Sequence, residues 1–252
     1  MTPLLTRRGF LAGSLAAAAA TACASAPEPI PAPSTPRSRY TTDFAGTENP
    51  ISEGGAWSHR GRPWTRVQKK DGLAHGTQGG YGGYDDSYAY LSGFATDHQG
   101  EAVVYVSPRL VGEPHEVELL LRWADSAYEA RGYECLWSFE GDVDIVRWNG
   151  PPGDFNSIGV AEGRLGRRLV TGDQVRARVV GPVITCYIND RLMARATDAT
   201  WKDGQPGIGF YRREAGAASD LAFSRYTATS LPVPSVLSVT RENPGPRAPR
   251  AR

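Results

Sequence analysis

The sequence is short of the residues that build metal and nucleophile chemistry. Among 252 residues there are three cysteines and four histidines. Cys23, Cys135 and Cys186 form no CxxC pair and no Cys/His cluster, which argues against a zinc site. His59, His75, His98 and His115 show no spacing suited to metal binding or to a catalytic triad. The apolar run at 11–20 is about ten residues, whereas a membrane-spanning helix needs roughly 20. Beyond residue 40 no segment keeps a 3.6-residue apolar period over three turns; the nearest, 123–130, is short and reads as a loop or a single helical turn. Excess positive charge is missing too. Setting aside the eight arginines and two glutamates of the flanks leaves 20 basic and 25 acidic residues in 40–230, a net of −5. Phosphate binding is driven by basic charge, so nucleic acid is excluded as the main partner.

The first residues carry an address. Thr6-Arg7-Arg8-Gly9-Phe10-Leu11 precedes a weakly apolar run that ends in Ala20-Thr21-Ala22-Cys23. The pair Arg7-Arg8 in this setting resembles a bacterial twin-arginine export signal. Ala20-Thr21-Ala22-Cys23 resembles a lipobox, which implies that Cys23 becomes the lipidated first residue of the mature protein. Ala22-Cys23-Ala24 and Ala24-Ser25-Ala26 also suit plain signal cleavage. Either route implies export. Residues 23–39 are rich in proline and small side chains and read as an extended spacer behind the anchor; 231–252 have the same character with added arginine. The expected organisation is a signal at 1–22, an anchor and linker at 23–39, a folded body at 40–230 and a disordered tail at 231–252. The expected location is the periplasmic face of a bacterial membrane or the cell surface. Ala24 after the cysteine favours the outer membrane.

The body reads as β throughout. In 114–123, Val117, Leu119, Leu121 and Trp123 alternate with Glu116, Glu118, Leu120 and Arg122. In 174–181, Val175, Ala177 and Val179 alternate with arginines, and in 183–189 Ile184, Cys186 and Ile188 alternate with Thr185 and Tyr187. Tight turns are expected at Asp71-Gly72, Glu140-Gly141-Asp142 and Asn189-Asp190. Many short strands joined this way indicate a sandwich or barrel. The segments around Gly172-Asp173-Gln174-Val175, Asn189-Asp190, Gly204-Gln205-Pro206-Gly207-Ile208-Gly209-Phe210 and Asp220-Leu221-Ala222-Phe223 resemble the C-terminal half of the concanavalin A-like lectin/glucanase superfamily. Asp43-Phe44 and the hairpin at 133–148 match its layout. The resemblance implies an all-β jelly-roll sandwich of two antiparallel sheets. It implies little about activity, since that architecture hosts lectins, sugar-binding modules, glycosidases and lyases.

Three sets of residues are candidate sites. Glu140, Asp142 and Asp144 superficially resemble the E-x-D-x-E signature of a glycoside hydrolase family on this fold, although a turn at Glu140-Gly141-Asp142 would separate them. That hairpin, with a turn centred on Glu140-Gly141 or Gly141-Asp142, places Tyr133, Cys135, Trp137 and Phe139 on one face with Asp142, Asp144, Val146 and Trp148. This face reads as core, with a platform for stacking sugar rings as the alternative. The opposite, polar face carries Glu134 and Arg147, beside Glu118 and Arg122 of the neighbouring strand, with Tyr187 placed likewise. These five are the candidate carbohydrate-binding residues, because acids and arginines hydrogen-bond sugar hydroxyls in pairs. Calcium is the one cofactor considered, with Asp43 and Asp220, or Asp85 and Asp86 beside the glycine-tyrosine loop at 79–84, as candidate ligands. Whether Cys135 and Cys186 pair is left open.

The reading taken from the sequence is an exported, lipid-anchored carbohydrate-binding or surface-interaction module, with a carbohydrate or cell-envelope polymer as partner. The alternative is a glycoside hydrolase on the same fold, of the E-x-D-x-E type. It also has a resemblance to 3-keto-disaccharide hydrolases, in which Glu118 and Arg147 would supply the recurring acid and arginine. A structural envelope lipoprotein is the third reading.

Overall fold

Alternating apolar residues separated by tight turns give fifteen strands among the described residues of the computed structural model, which are 36, 38–78, 85–112, 115–213 and 216–232. In chain order they are β1 (Arg39–Thr42), β2 (Val67–Lys70), β3 (Leu73–Gly76), β4 (Asp86–Tyr90), β5 (His98–Val106), β6 (His115–Asp125), β7 (Ala130–Ser138) and β8 (Val143–Gly150). They continue as β9 (Phe155–Ser157), β10 (Val160–Ala161), β11 (Gln174–Val180), β12 (Val183–Ile188), β13 (Arg191–Thr197), β14 (Gln205–Arg212) and β15 (Leu221–Ser230). Two single 3-10 turns, Pro63–Thr65 and Ala218–Asp220, complete the regular structure. No helix among the described residues is long and apolar enough to cross a membrane. Arg7, Arg8, Cys23 and the tail from residue 233 lie outside the described residues.

The strands form two antiparallel sheets, the expected all-β jelly-roll sandwich. One runs β10-β13-β12-β11-β5-β15-β3-β2 with β1 also paired to β15; the other runs β4-β14-β6-β7-β8-β9. Their inner faces supply the main core, with Val117, Leu119 and Leu121 of β6 packed among Val175, Ala177 and Val179 of β11 and Ile184 and Ile188 of β12. Cys135 of β7 and Cys186 of β12 come from opposite sheets and meet in this core as buried free thiols. Burial first, and then the contact with Cys135, push the Cys186 thiol up. The turn chemistry is as expected. Asp71 and Gly72 have φ of 55° and 76°, and Asn189 and Asp190 have 47° and 63°, the paired positive values that a two-residue type I′ hairpin requires.

The β7–β8 hairpin differs from expectation by one residue. Ser138 N–H donates to Asp142 O and Gly141 N–H to Ser138 O, which closes a three-residue loop with Gly141 at φ 97°. Both turn centres expected from the sequence are two-residue loops. The extra residue sets Tyr133 opposite Arg147, Cys135 opposite Ile145 and Trp137 opposite Val143. A slip of one residue exchanges the two faces of a strand. Tyr133, Cys135, Trp137 and Phe139 are core as expected. The outward face, however, carries Asp144, Val146 and Trp148 with Glu134 and Leu136, while Arg147 turns inward.

A second departure sits in β6. The pairing of β6 with β7 shifts between Leu121 and Ala124, and that with β14 shifts between Gln205 and Gly207. Arg122 is the bulged residue, at φ 49°, a left-handed value unusual for a non-glycine residue. The bulge inverts the alternation, so that Arg122 follows Leu121 into the interior and Trp123 swings to the outer face. Arg122 is 4% exposed. Its guanidinium donates to Thr96 O (3.0 Å), Trp201 O (2.9 Å) and Asp97 Oδ1 (2.9 Å), and its N–H donates to His98 Nε2 (3.2 Å). Gly204 allows the close approach, since a Cβ there would overlap the Arg122 carbonyl.

Removing one member of a buried ion pair leaves the other charge uncompensated, at about 3–5 kcal/mol. Arg122→Ala is therefore expected to lower the unfolding free energy by that amount in a urea titration. An unchanged midpoint would contradict the role given to this residue.

Candidate functional site

The face exchange in β8 and the bulge in β6 together build a second apolar cluster on the outer face of the six-stranded sheet. It holds Tyr88 and Tyr90 of β4, Leu120 and Trp123 of β6, Ala130 of β7, and Val146 and Trp148 of β8. Rings run in contact across the face: His59–Tyr88 at 4.8 Å between centroids, Tyr88–Trp123 at 5.3 Å, Trp123–Trp148 at 6.0 Å and Trp148–Phe155 at 5.3 Å. Aromatic pairs at 4.5–7 Å stabilise one another beyond their burial. Trp64 and Tyr128 stand more exposed at the rim, bridged by the Arg62 guanidinium at 5.2 Å and 4.8 Å from their ring centroids.

Trp64, Tyr88, Trp123, Tyr128 and Trp148 wall a cavity of about 300 Å³ that is also lined by Arg62, Asp86, Glu118, Glu129 and Glu134. Glu118 and Glu134 are 2% and 5% exposed. One carboxylate oxygen from each of Glu116, Glu118 and Glu134 lies within 4.8 Å of the others. The sheet positions them. Glu118 pairs across strands with Leu136 and Gly209, and Glu134 with Leu120 and Val146. Gly209 is needed, because a Cβ at that position would overlap Glu118 Oε2. Trp148 Nε1–H donates to Glu134 Oε2 at 2.6 Å. Glu118 Oε1 and Trp123 Nε1 are buried without a hydrogen-bond partner. Unpaired buried polar atoms are rare in folded proteins and mark sites of function or of an absent ligand.

The electrostatics are one-sided. Burial, reinforced by Asp85, raises Asp86 to about 7. Burial, reinforced by Asp86, Asp144 and Asp142, raises Glu116 to about 7. Burial and the neighbouring carboxyls push Glu118 well above the ordinary range. They do the same to Glu134, against the opposing hydrogen bond from Trp148. Acids shifted this strongly by burial and by one another are concentrated at functional sites.

The candidate residues from the sequence divide as follows. Glu118 and Glu134 are brought together as expected. Arg122 is not with them, because the bulge buries it against Asp97. Arg147 faces inward and donates to Asp198 Oδ2 at 2.8 Å. Tyr187 lies in the other sheet, under the Arg176 guanidinium at 4.4 Å. Glu140 sits in the turn beside Arg168 (3.0 Å), Asp142 is exposed near Arg164 (3.9 Å), and Asp144 accepts from Ser157 Oγ (2.6 Å). The three therefore do not line one strand. Asp43 follows Thr42, which pairs with Tyr226. That is six residues beyond Asp220, on the order of 20 Å along a strand, so Asp43 and Asp220 do not share a site. Asp85 lies 3.7 Å from Arg213, while Asp86 joins the cavity; residues 79–84 lie outside the described residues. Sequence reasoning assigned Trp123 and Trp148 to the core and passed over Tyr88 and Tyr90. The alternation Asp86-Ser87-Tyr88-Ala89-Tyr90 is the one signal that marks the last two as sharing a face with Asp86.

A carboxyl whose folded-state pKa is raised keeps a proton that the unfolded chain has already released. Its stability contribution therefore falls as pH climbs past the ordinary 4.5. His98 acts in the opposite direction: burial holds it at about 4, so stability drops as pH falls from 6.5 towards that value. Without ligand, Glu118→Gln is expected to melt at least about 2 °C above the parent at pH 8, the response of a domain this size to about 1 kcal/mol. The gain should vanish near pH 4, and thermal scans at the two pH values measure it. A variant that melts below the parent at pH 8 would show that ionised Glu118 stabilises the fold.

No protein-family model and no curated protein matches the chain. Among solved structures, it is similar to the carbohydrate-binding module CBM66 from Bacillus subtilis, at 16% identity and a TM-score of 0.48 over 71% of this chain and 96% of that one. It is similar to the Bacillus licheniformis beta-glucanase, at 10% identity and a TM-score of 0.48 over 77% and 99%. It is also similar to the Caenorhabditis elegans galectin LEC-6, at 14% identity and a TM-score of 0.38 over 57% and 96%.

Proposed function

We propose that this protein is an exported, lipid-anchored carbohydrate-binding module whose site is the aromatic-walled cavity on the six-stranded sheet. One observation carries the reading: rings and carboxyls converge on a single cavity of about 300 Å³. The C–H face of a pyranose is flat and apolar and stacks on rings such as Trp123 and Trp148. Its hydroxyls are donors that match Asp86, Glu118 and Glu134 on the floor. Trp64 and Tyr128 stand 47% and 68% exposed at the rim, and Phe155, 52% exposed, packs on Trp148, so further units of an oligosaccharide can stack there.

The hydrolase reading has a specific observation in its favour, the proximity of Glu118 and Glu134. Oxygens within 4.8 Å suit the separation of about 5–5.5 Å used by retaining glycosidases better than the roughly 6.5–9.5 Å of inverting ones. Glu118, unpaired and protonated, would be the acid. Glu134, which accepts from Trp148, would be the nucleophile. Binding is preferred because such a pair works when its environments push the two pKa values apart, and here both are pushed upwards.

A glycan screen followed by calorimetry tests the choice. The expected result is binding without hydrolysis products, weakened at least tenfold by Trp148→Ala and by Gly209→Ala, whose added methyl displaces Glu118. Released sugar that disappears in Glu134→Gln would establish the hydrolase instead, and a screen with no binder would leave the structural role. Export and anchoring have their own readout. Replacing Arg7 and Arg8 by lysine is expected to retain the protein in the cytoplasm, and Cys23→Ser to move it from the membrane to the soluble fraction. Unchanged fractionation in both variants would refute the anchor.

A further inference from the structure

The floor of the cavity lacks a counter-charge. Asp86, Glu118 and Glu134 line it and Glu116 stands beside the last two, and no basic side chain among the described residues forms an ion pair with any of the four. The neighbouring charges that act most on these four groups are all carboxyls. Arg62 also lines the cavity, but its guanidinium is held over Trp64 and Tyr128 and forms no ion pair with these acids. Glu118, which lines the cavity and is 2% exposed, keeps a buried oxygen without a hydrogen-bond partner. A neutral sugar hydroxyl would supply a donor to that oxygen but would leave the accumulated acidity uncompensated.

The geometry distinguishes among cations. Three carboxylate oxygens, one each from Glu116, Glu118 and Glu134, lie within 4.8 Å of one another. The three N–H bonds of a primary ammonium diverge at the tetrahedral angle, and acceptors about 2.8 Å from its nitrogen stand about 4.6 Å apart. A calcium ion asks for six to eight oxygens, whereas much of the surrounding wall is ring: Tyr88, Trp123 and Trp148. Aromatic faces attract an organic cation. A cavity of about 300 Å³ also has room for much more than an amine.

We infer that the group seated on this floor is a primary ammonium and that the ligand is an amino sugar with its amine unsubstituted. The inference rests on the carbohydrate reading of the same cavity and narrows it. The amine donates to Glu116, Glu118 and Glu134, while the ring that bears it stacks on the tryptophans. Acetylation of the nitrogen would remove both the charge and two of its three donors.

Calorimetry on the purified full chain at pH 7 tests this with five probes: glucosamine oligomers, N-acetylglucosamine oligomers and glucose oligomers of equal length, n-butylammonium, and calcium chloride. The glucosamine oligomer is expected to bind at least about tenfold tighter than either uncharged oligomer, the scale of one hydrogen bond to a charged group. In Glu118→Gln/Glu134→Gln that preference is expected to shrink to within about twofold. Equal binding of the three oligomers would overturn the ammonium and leave the carbohydrate reading standing. Butylammonium binding as tightly as the glucosamine oligomer would keep the ammonium and overturn the sugar, calcium binding as tightly would overturn the ammonium, and silence from all five probes would overturn both. The ligand comparison on the unaltered chain decides the matter even if the double variant fails to fold.

Discussion

The placement of Arg122 is the constraint on which the rest of this structure depends. A β-strand shows alternate residues to its two faces, so β6 without a bulge would point Trp123 into the sandwich and Arg122 outwards. The left-handed backbone at Arg122 reverses that order for the end of the strand. The reversed arginine is tolerated inside because Asp97 compensates its charge and two carbonyls accept from two more of its N–H groups. The reversal delivers Trp123 to the outer face, where Tyr88 and Trp148 meet it. One buried ion pair thereby joins the interior of the sandwich to the wall of the cavity.

The cavity itself is built against the preferences of its own residues. Carboxyls are gathered without basic partners in surroundings dominated by ring carbon, and each is pushed away from its ionised form. A domain that needed only to fold would place apolar or paired groups there. The neighbouring strand of the same sheet makes space instead: Gly209 of β14 lies opposite Tyr88 and Glu118, and a Cβ there would overlap the Glu118 carboxyl. Stability is given up at this point, which is the usual signature of a site shaped for something that is not part of the chain.

Much of the fold was legible because it rests on local rules. The alternation of Val117, Leu119 and Leu121 put them in the core whatever lay across from them. Asp71-Gly72 and Asn189-Asp190 made their hairpins because those residues accept positive φ. The β7–β8 register was not legible in the same way. A loop of two or three residues around Gly141 satisfies the same composition, and the difference of one residue decides whether Trp148 or Arg147 faces outwards. Tyr187 lies opposite Ile188 and Cys186 in alternation, as expected, but which sheet its strand joins is a long-range pairing that no local pattern encodes.

The sequence by itself determined the all-β class, the antiparallel sandwich, most of the core and two of the acids that meet in the cavity, Glu118 and Glu134. These follow from period-two patterning and turn chemistry, which act over a few residues. Only the tertiary structure decided that Asp86 and Glu116 stand beside them, that Trp123 and Trp148 are walls rather than core, and that Arg122 and Arg147 are withdrawn from the site. Each of those outcomes turns on the register between strands distant in the chain. A register is chosen by the packing of whole faces and by ion pairs such as Arg122–Asp97, whose partners are 25 residues apart.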